Sequence, residues 1–106
     1  MNSPHVKPDP ASAPYDFEMP GFRGRIIAQI AGLLVVEADV DGDIPAHRAT
    51  SDELAYVLSG QVEVLVEGQS TMLHAGASLQ IRAGQEHASK AHGPARVLLI
   101  GEPDQH

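Results

Sequence analysis

Short apolar runs separated by glycine and polar residues fill most of the chain, and their spacing predicts β-strands. The clearest run is QVEVLVEG, Gln61 to Gly68, in which three valines alternate with Glu63, Leu65 and Glu67. Because successive side chains of a strand point to opposite faces, the valine face is expected to be buried. Gly68–Gln69 then suits a tight hairpin turn.

The rest of the chain has the same character. Arg23 to Val40 is rich in β-branched residues and is interrupted by Gly32, which favours two strands joined near Ala31–Gly32 over a helix. The segment DVDGDIP, residues 39–45, is predicted to be a loop because it combines three aspartates with glycine and proline. Further short strands are predicted at 71–74, 78–81, 87–91 and 96–100.

Glu53 to Leu58 allows two interpretations. Thr50 followed three places later by Glu53 resembles a capping box, and Gly60 would suit the end of a helix. That helix would be very short, whereas a strand would lead through Ser59–Gly60 into the alternating run that follows. Many short strands at even spacing predict an all-β sandwich or barrel.

The length of 106 residues indicates a single domain, preceded by a proline-rich segment. Residues 1–20 contain five prolines and are predicted to be an extended or disordered arm, with the domain at 21–106. Tyr15, Phe17 and Met19 alternate at the end of this arm. They either dock on the domain or on a partner subunit, or they belong to a loose tail.

Composition excludes several classes of protein. The net charge of −7, with seven scattered basic residues, argues against binding to nucleic acid. The chain has no cysteine, which excludes disulfides and thiolate metal sites. It also shows no signal peptide and no apolar run approaching the ~20 residues of a membrane span. We therefore expect a cytoplasmic protein without a nucleic-acid or membrane partner.

Two segments carry the candidate chemistry. HRATSDELAYVLSG, His47 to Gly60, places a histidine and then Glu53 ahead of an apolar run that ends in glycine. GASLQIRAGQEH, Gly76 to His87, adds a second histidine behind a glycine-containing turn. Together the segments offer two imidazoles and one carboxylate to a common site.

These segments resemble the two sequence motifs of the cupin family. The matching positions are His47, Glu53, Gly60, Gly76, Gly84 and His87. The resemblance implies a cupin-type double-stranded β-helix, a jelly-roll barrel whose strands bring the two motifs together at its mouth. It also implies homodimerisation, commonly through the N-terminal strands.

The chain departs from the family pattern at four positions. Ala49 stands where the first motif has its second histidine, and Gly42 is one residue closer to His47 than expected. In the second motif, Arg82 replaces a proline and Ala91 an asparagine. Ala49 is the important departure, because cupins usually hold their metal with three histidines and one glutamate.

The resemblance implies that His47, Glu53 and His87 bind a divalent metal ion, with Glu53 also in a catalytic role. Two imidazoles and a carboxylate suit non-haem iron and can also hold zinc, manganese or nickel. Such a set leaves positions open for water and substrate. The first hypothesis is therefore a metal-dependent enzyme that oxygenates, isomerises or decarboxylates a small oxygen-rich metabolite.

Ala49 keeps a second hypothesis open, namely a non-catalytic small-ligand-binding or sensor protein with an eroded, metal-free site. A third is a dimeric accessory protein, suggested by the proline-rich arm. His74 and His92 fall at strand ends and are interpreted as surface residues. Arg82 either binds an anionic ligand at the barrel mouth or is a solvated surface residue.

Overall fold

A computed structural model describes residues 14–102, most of which lie in eight β-strands. In chain order the strands are β1 (Phe17–Met19), β2 (Phe22–Ile30), β3 (Leu33–Arg48), β4 (Glu53–Ser59), β5 (Gln61–Val66), β6 (Gln69–His74), β7 (Ser78–Ile81) and β8 (Glu86–Gly101). No helix occurs in this range, which confirms the all-β prediction. Accordingly, residues 14–102 contain no helix long and apolar enough to cross a membrane.

The long strands β3 and β8 organise the sheet. They pair antiparallel from Leu34 opposite Gly101 to Arg48 opposite Glu86. The later half of β8 also pairs with β4, whereas its first half pairs with β5, which in turn pairs with β6. Each long strand thus belongs to two layers that face each other across a common core, which is the jelly-roll arrangement.

Irregular pairing within β3 corrects the prediction of a loop at residues 39–45. The register shifts between Val40 and Gly42 and again between Ile44 and His47, but the strand continues to Arg48. Gly42 has a φ of 76°. Bulges accommodate such a glycine and also Pro45, which has no N–H to donate. The residues expected to interrupt the strand instead bend it.

The strands predicted separately at 87–91 and 96–100 are likewise two parts of β8. Gly93 lies between them with a φ of 84°, a conformation that favours glycine. β8 pairs with β3 both before and after this interruption. The Gly93–Pro94 signal is therefore a bend within one strand and does not separate two strands.

Two of the hairpin turns between neighbouring strands share one backbone geometry. Ala31 and Gly32 have φ values of 52° and 79°, and Glu67 and Gly68 have values of 49° and 82°. Positive φ at both central residues matches the twist of antiparallel strands. The first turn lies where the sequence predicted it, and the second lies one residue before the predicted Gly68–Gln69.

The core between the layers consists mainly of valine and alanine. Val62 and Val64 are 5% and 3% exposed, whereas Leu65 is 39% exposed, which confirms the alternation predicted for β5. The strand interpretation of Glu53 to Leu58 is also confirmed. In this strand Val57 is buried in the core, and the large side chains on either side of it face solvent.

The first described residues are tied to the sheet. β1 pairs with β2, and the Asp16 carboxylate accepts a hydrogen bond of 2.7 Å from the backbone N–H of Ile26. The Tyr15 hydroxyl donates to Asp39 Oδ2 at 2.8 Å, so Tyr15 docks on the domain. The first 13 residues of the predicted arm lie outside the described residues.

Candidate functional site

Two histidines face each other at one end of the β3–β8 pair. His47 and His87 are cross-strand partners, and their ring centroids lie 4.1 Å apart with the ring planes inclined by 62°. His87 is 6% exposed, whereas His47 is exposed to solvent. The pair therefore connects the solvent with the interior of the barrel.

Glu53 completes the histidine–glutamate cluster formed by His47, Glu53 and His87. It is the first residue of β4, and its side chain is only 17% exposed. Its Oε1 lies 3.8 Å from Nε2 of His87, beyond the range of a hydrogen bond. Three different strands thus bring together the residues selected from the sequence.

Burial lowers the pKa of His87, and the neighbouring imidazole of His47 lowers it further. The backbone carbonyl of Gln85 and the Glu53 carboxylate act in the opposite direction without reversing the shift. Since an ordinary histidine titrates near ~6.5, His87 is neutral at pH 7. The contact between His87 and Glu53 is consequently not an ion pair.

The second ring nitrogen of His87 has a defined neighbour. Nδ1 lies 3.4 Å from the carbonyl oxygen of Gln85, which can only accept a hydrogen bond. The neutral tautomer that uses this contact carries its proton on Nδ1 and leaves a lone pair on Nε2. That lone pair then faces the Glu53 carboxylate, so that two electron-rich atoms oppose each other.

The donors of the cluster are of the type that binds a divalent metal ion. Two ligands at about 2.0–2.1 Å from a tetrahedral ion lie roughly 3.4 Å apart, close to the 3.8 Å between His87 and Glu53. Within residues 14–102, however, no group of three or more histidines or carboxylates is arranged to hold an ion. A three-donor site therefore requires these side chains to draw closer together.

Ala49 leaves a position without a donor beside the cluster. Its side chain is enclosed, and the residue is 3% exposed. Its N–H donates to the Gln85 carbonyl at 3.2 Å, and its carbonyl accepts from the N–H of Gly84 at 2.7 Å. The loop of residues 49–52 is thereby fixed to the turn that precedes His87.

Two residues of this region were missed in the sequence. Arg48 Nη1 donates to the Gly84 carbonyl at 2.8 Å, and Asp52 Oδ1 accepts from the N–H of Ala83 at 2.9 Å. Their only signal in the sequence is that Arg48 directly follows His47 and Asp52 directly precedes Glu53. Both side chains bond to backbone atoms more than 30 positions away, a distance that no local pattern encodes.

The remaining candidate residues lie elsewhere. His92 Nε2 is 3.3 Å from Glu63 Oε1 on the solvent face of β5, and Ser70 Oγ donates to the other oxygen of the same carboxylate. The hydrogen bond from Ser70 and then that from His92 lower the pKa of Glu63. His74 and His92 are both exposed, so their interpretation as surface residues agrees with the structure. Arg82 is also exposed.

A second polar cluster, which the sequence did not reveal, surrounds Asp39. We call Tyr15, Arg25, Asp39 and Arg96 the Asp39 cluster. Asp39 accepts hydrogen bonds from Tyr15 and from Arg96 Nε, the latter at 3.1 Å, and lies 3.6 Å from Nη1 of the buried Arg25. The Arg25 guanidinium also lies 4.0 Å from the centre of the Tyr15 ring, in cation–π contact.

These contacts determine the charge state of Asp39. Burial acts to raise the pKa of its carboxyl, but the hydrogen bonds from Tyr15 and Arg96 and the two arginine charges outweigh it and lower the pKa. A groove of about 970 Å³ borders Asp39 and Arg96, and one of about 320 Å³ borders Glu53. Neither groove is lined by His47 or His87.

The fold and the histidine–glutamate cluster define a jelly-roll barrel with a polar cluster at one end. The sequence profile of the cupin domain matches residues 34–101, from β3 to the end of β8. The chain therefore belongs to the cupin family, which confirms the resemblance seen in its motifs.

Solved structures show the same fold at low sequence identity. An RmlC-like cupin from Shewanella frigidimarina superposes with a TM-score of 0.83 and 18% identity, covering 98% of this chain and 95% of its own. KdgF from Halomonas sp. has a TM-score of 0.75 and 22% identity, with coverage of 88% and 89%.

A third similar structure is hydroxypropylphosphonic acid epoxidase from S. wedmorenis. It has a TM-score of 0.76 and 18% identity, and the match covers 92% of this chain but 58% of the epoxidase. No curated protein matches the chain by sequence. At these identities the comparisons establish the fold alone.

Proposed function

We propose that this cupin binds a divalent metal ion through His47, Glu53 and His87 and acts on a small oxygen-rich metabolite. The proposal rests chiefly on the approach of His87 Nε2 to Glu53 Oε1, which lie 3.8 Å apart beside the His47 ring. In the tautomer with its proton on Nδ1, two electron-rich atoms face each other here, and a shared cation would turn their repulsion into attraction. The lowered pKa of His87 supports the same assignment, since a metal ligand must be deprotonated.

Each residue of the cluster has a distinct part in this proposal. His87 supplies a buried, neutral imidazole that is oriented by the Gln85 carbonyl. His47 is the exposed member of the cluster, so it would be the first of the three to meet an ion from solvent. Glu53 supplies negative charge and is the group that can accept a proton from bound substrate. A bound divalent ion would contribute polarisation of a substrate oxygen.

Elemental analysis tests metal binding directly. The protein would be purified without a histidine tag or chelators, alongside the double variant His47→Ala/His87→Ala. The double variant His74→Ala/His92→Ala is a matched control, because it removes two histidines outside the cluster. We expect near-stoichiometric metal in the wild type and this control only. Absence of metal from folded wild type, together with no uptake of added Co(II), would contradict the proposal.

Ala49 supports a second candidate function, a protein that holds a small ligand without metal or catalysis. The enclosed alanine provides no donor, and residues 14–102 contain no converged group of three ligands. This function predicts ligand binding that survives removal of divalent ions. Turnover of any substrate that stops in Glu53→Gln would exclude it.

We further propose that the protein functions as a cytoplasmic homodimer, with the outer face of β4 as its interface in place of the N-terminal strands that the resemblance implies. Leu54 and Tyr56 lie on this face and are 37% and 36% exposed, and Leu58, at the register shift that follows, is 40% exposed. Rows of large exposed apolar side chains mark association surfaces. Leu54→Glu/Leu58→Glu should halve the mass measured by light scattering. Leu65→Glu, a similarly exposed residue in the other layer, should not.

A further inference from the structure

The candidate site depends on how two separate segments are held together. His47 and Glu53 flank the loop of residues 49–52, whereas His87 follows the turn of residues 82–85. The loop joins β3 to β4 and the turn joins β7 to β8. Pairing of β3 with β8 places His47 opposite His87, and Glu53 pairs with Ile81 at the end of β7. Contacts between the loop and the turn add to this pairing where Glu53 approaches His87.

Two of these contacts come from the backbone and one from each of two side chains. Ala49 exchanges backbone hydrogen bonds with Gly84 and Gln85 at 2.7 and 3.2 Å. At one end of the loop, Arg48 donates to the Gly84 carbonyl at 2.8 Å. At the other end, Asp52 accepts from the N–H of Ala83 at 2.9 Å.

We propose that Asp52 is a positioning residue for the histidine–glutamate cluster, an inference that rests on the proposed function for its metal-binding consequence. Asp52 is bonded to Glu53 in the chain and hydrogen-bonded to the turn that carries His87. Its carboxylate thus adds a side-chain hydrogen bond between the start of β4 and the turn before β8, beside the 3.8 Å contact between Glu53 and His87. Residues that orient ligands in this way typically change metal affinity by about 10–100-fold.

The Gln85 carbonyl extends the effect of Asp52 to the ring of His87. This oxygen accepts the N–H of Ala49 and also faces Nδ1 of His87 at 3.4 Å. A turn released from Asp52 would carry this carbonyl away and free the His87 ring to rotate. Asp52 accordingly acts on the distance between the ligands and on the orientation of one of them.

Three variants test the proposal by two measurements. Asp52→Ala removes the acceptor, and Asp52→Asn keeps an oxygen that can accept from Ala83. Asp16→Ala removes an equivalent exposed carboxylate, which accepts from Ile26 N–H at 2.7 Å far from the site along the chain. The measurements are Co(II) affinity and, in metal-free protein, the nuclear Overhauser effect between the rings of His47 and His87.

We expect Asp52→Ala to weaken Co(II) binding about tenfold and to reduce the ring-to-ring Overhauser effect. Asp52→Asn and Asp16→Ala should retain both. An unchanged Overhauser effect in Asp52→Ala would overturn the proposal, as would an equal loss in Asp16→Ala. Equal effects of Asp52→Asn and Asp52→Ala would assign the role to charge and overturn it too. If wild type binds no Co(II), the proposed function fails and the Overhauser measurement alone decides the role of Asp52.

Discussion

The same pair of strands carries two polar clusters that differ in how their charges are satisfied. Asp39 lies opposite Arg96, and His47 lies opposite His87, eight residues further along β3. At about 3.3 Å per residue, this separation is roughly 25 Å along the strand. At the first position the Asp39 carboxylate contacts two arginines and the Tyr15 hydroxyl. At the second, two imidazoles contact each other.

The difference separates a structural cluster from a site able to bind something else. Both carboxylate oxygens of Asp39 accept hydrogen bonds, and the lowered pKa of Asp39 reflects those contacts. In the histidine–glutamate cluster, a neutral imidazole faces another imidazole and a carboxylate beyond hydrogen-bonding distance. Nε2 of His87 and the Glu53 carboxylate form no hydrogen bond with each other, so both retain the capacity to bind a ligand, which a functional site needs.

The largest expected effect is on metal affinity at the histidine end. His87→Ala removes the buried, neutral ligand and should weaken Co(II) binding by at least about 100-fold, more than the loss of an outer partner costs. Removing this buried ring should also lower the free energy of unfolding, because truncation of an enclosed side chain leaves a cavity. His92→Ala, with its histidine on the solvent face of the other layer, should bind Co(II) normally. Equal affinities of all three proteins in a spectroscopic titration would remove the distinction between the clusters.

Asp39→Ala should lower stability without affecting metal binding. It removes the Asp39 partner of the buried Arg25 and deprives Tyr15 of its acceptor, so we expect a loss of about 2–3 kcal/mol in the free energy of unfolding. Co(II) affinity should be unchanged. Asp41→Ala, which removes an exposed carboxylate two residues away, is the control for urea denaturation. A similar loss in both variants would mean that the Asp39 contacts contribute little.

Ala49→His examines whether the histidine end lacks a donor. A fourth ligand should raise Co(II) affinity about tenfold, equivalent to about 1.4 kcal/mol. The larger side chain at an enclosed position should cost about 1–3 kcal/mol of stability. Ala49→Leu adds bulk without a donor and separates the two effects. Unchanged or weaker Co(II) binding in Ala49→His would show that position 49 does not face the ion.

The smallest expected effect is on the pH dependence of stability, to which the two clusters contribute in different pH ranges. The pKa of His87 is lowered on folding, so the unfolded chain binds more protons as the pH falls below the ordinary value of about 6.5. Stability should therefore decline on acidification through that region, and His87→Gln should abolish the decline. The pKa of Asp39 is also lowered, and its contribution should persist until the pH falls below about 4. The measurement is urea denaturation of metal-free protein between pH 8 and 3. If the free energy of unfolding of His87→Gln followed that of wild type throughout this range, the prediction would be wrong.

The strands were largely predictable because burial on one face leaves a period of two in the sequence. The bends within β3 and β8 were not predictable in this way. Aspartate, glycine and proline at residues 39–45 are as compatible with a loop as with a bulged strand. The outcome depends on whether a partner strand pairs on both sides of the interruption, as β8 does with β3.

The motifs identified His47, Glu53 and His87 as candidate site residues. The sequence did not predict the long-range hydrogen bonds near them and in the Asp39 cluster. The Asp39–Arg96 hydrogen bond joins residues 57 positions apart, and Asp52 bonds to a residue 31 positions away. Both depend on which residues the sheet places opposite each other. A shift of one residue in register would turn these side chains to the other face and remove the contacts.

The position of β8 in the chain has a consequence for folding. It is the last strand of residues 14–102, and it pairs with β3, β4 and β5. During synthesis, those three strands emerge from the ribosome before their common partner exists. Long-range pairing of this kind slows folding, and His87 arrives with the strand that completes the sheet. Assembly of the barrel and of its candidate site is therefore expected to be a single late event.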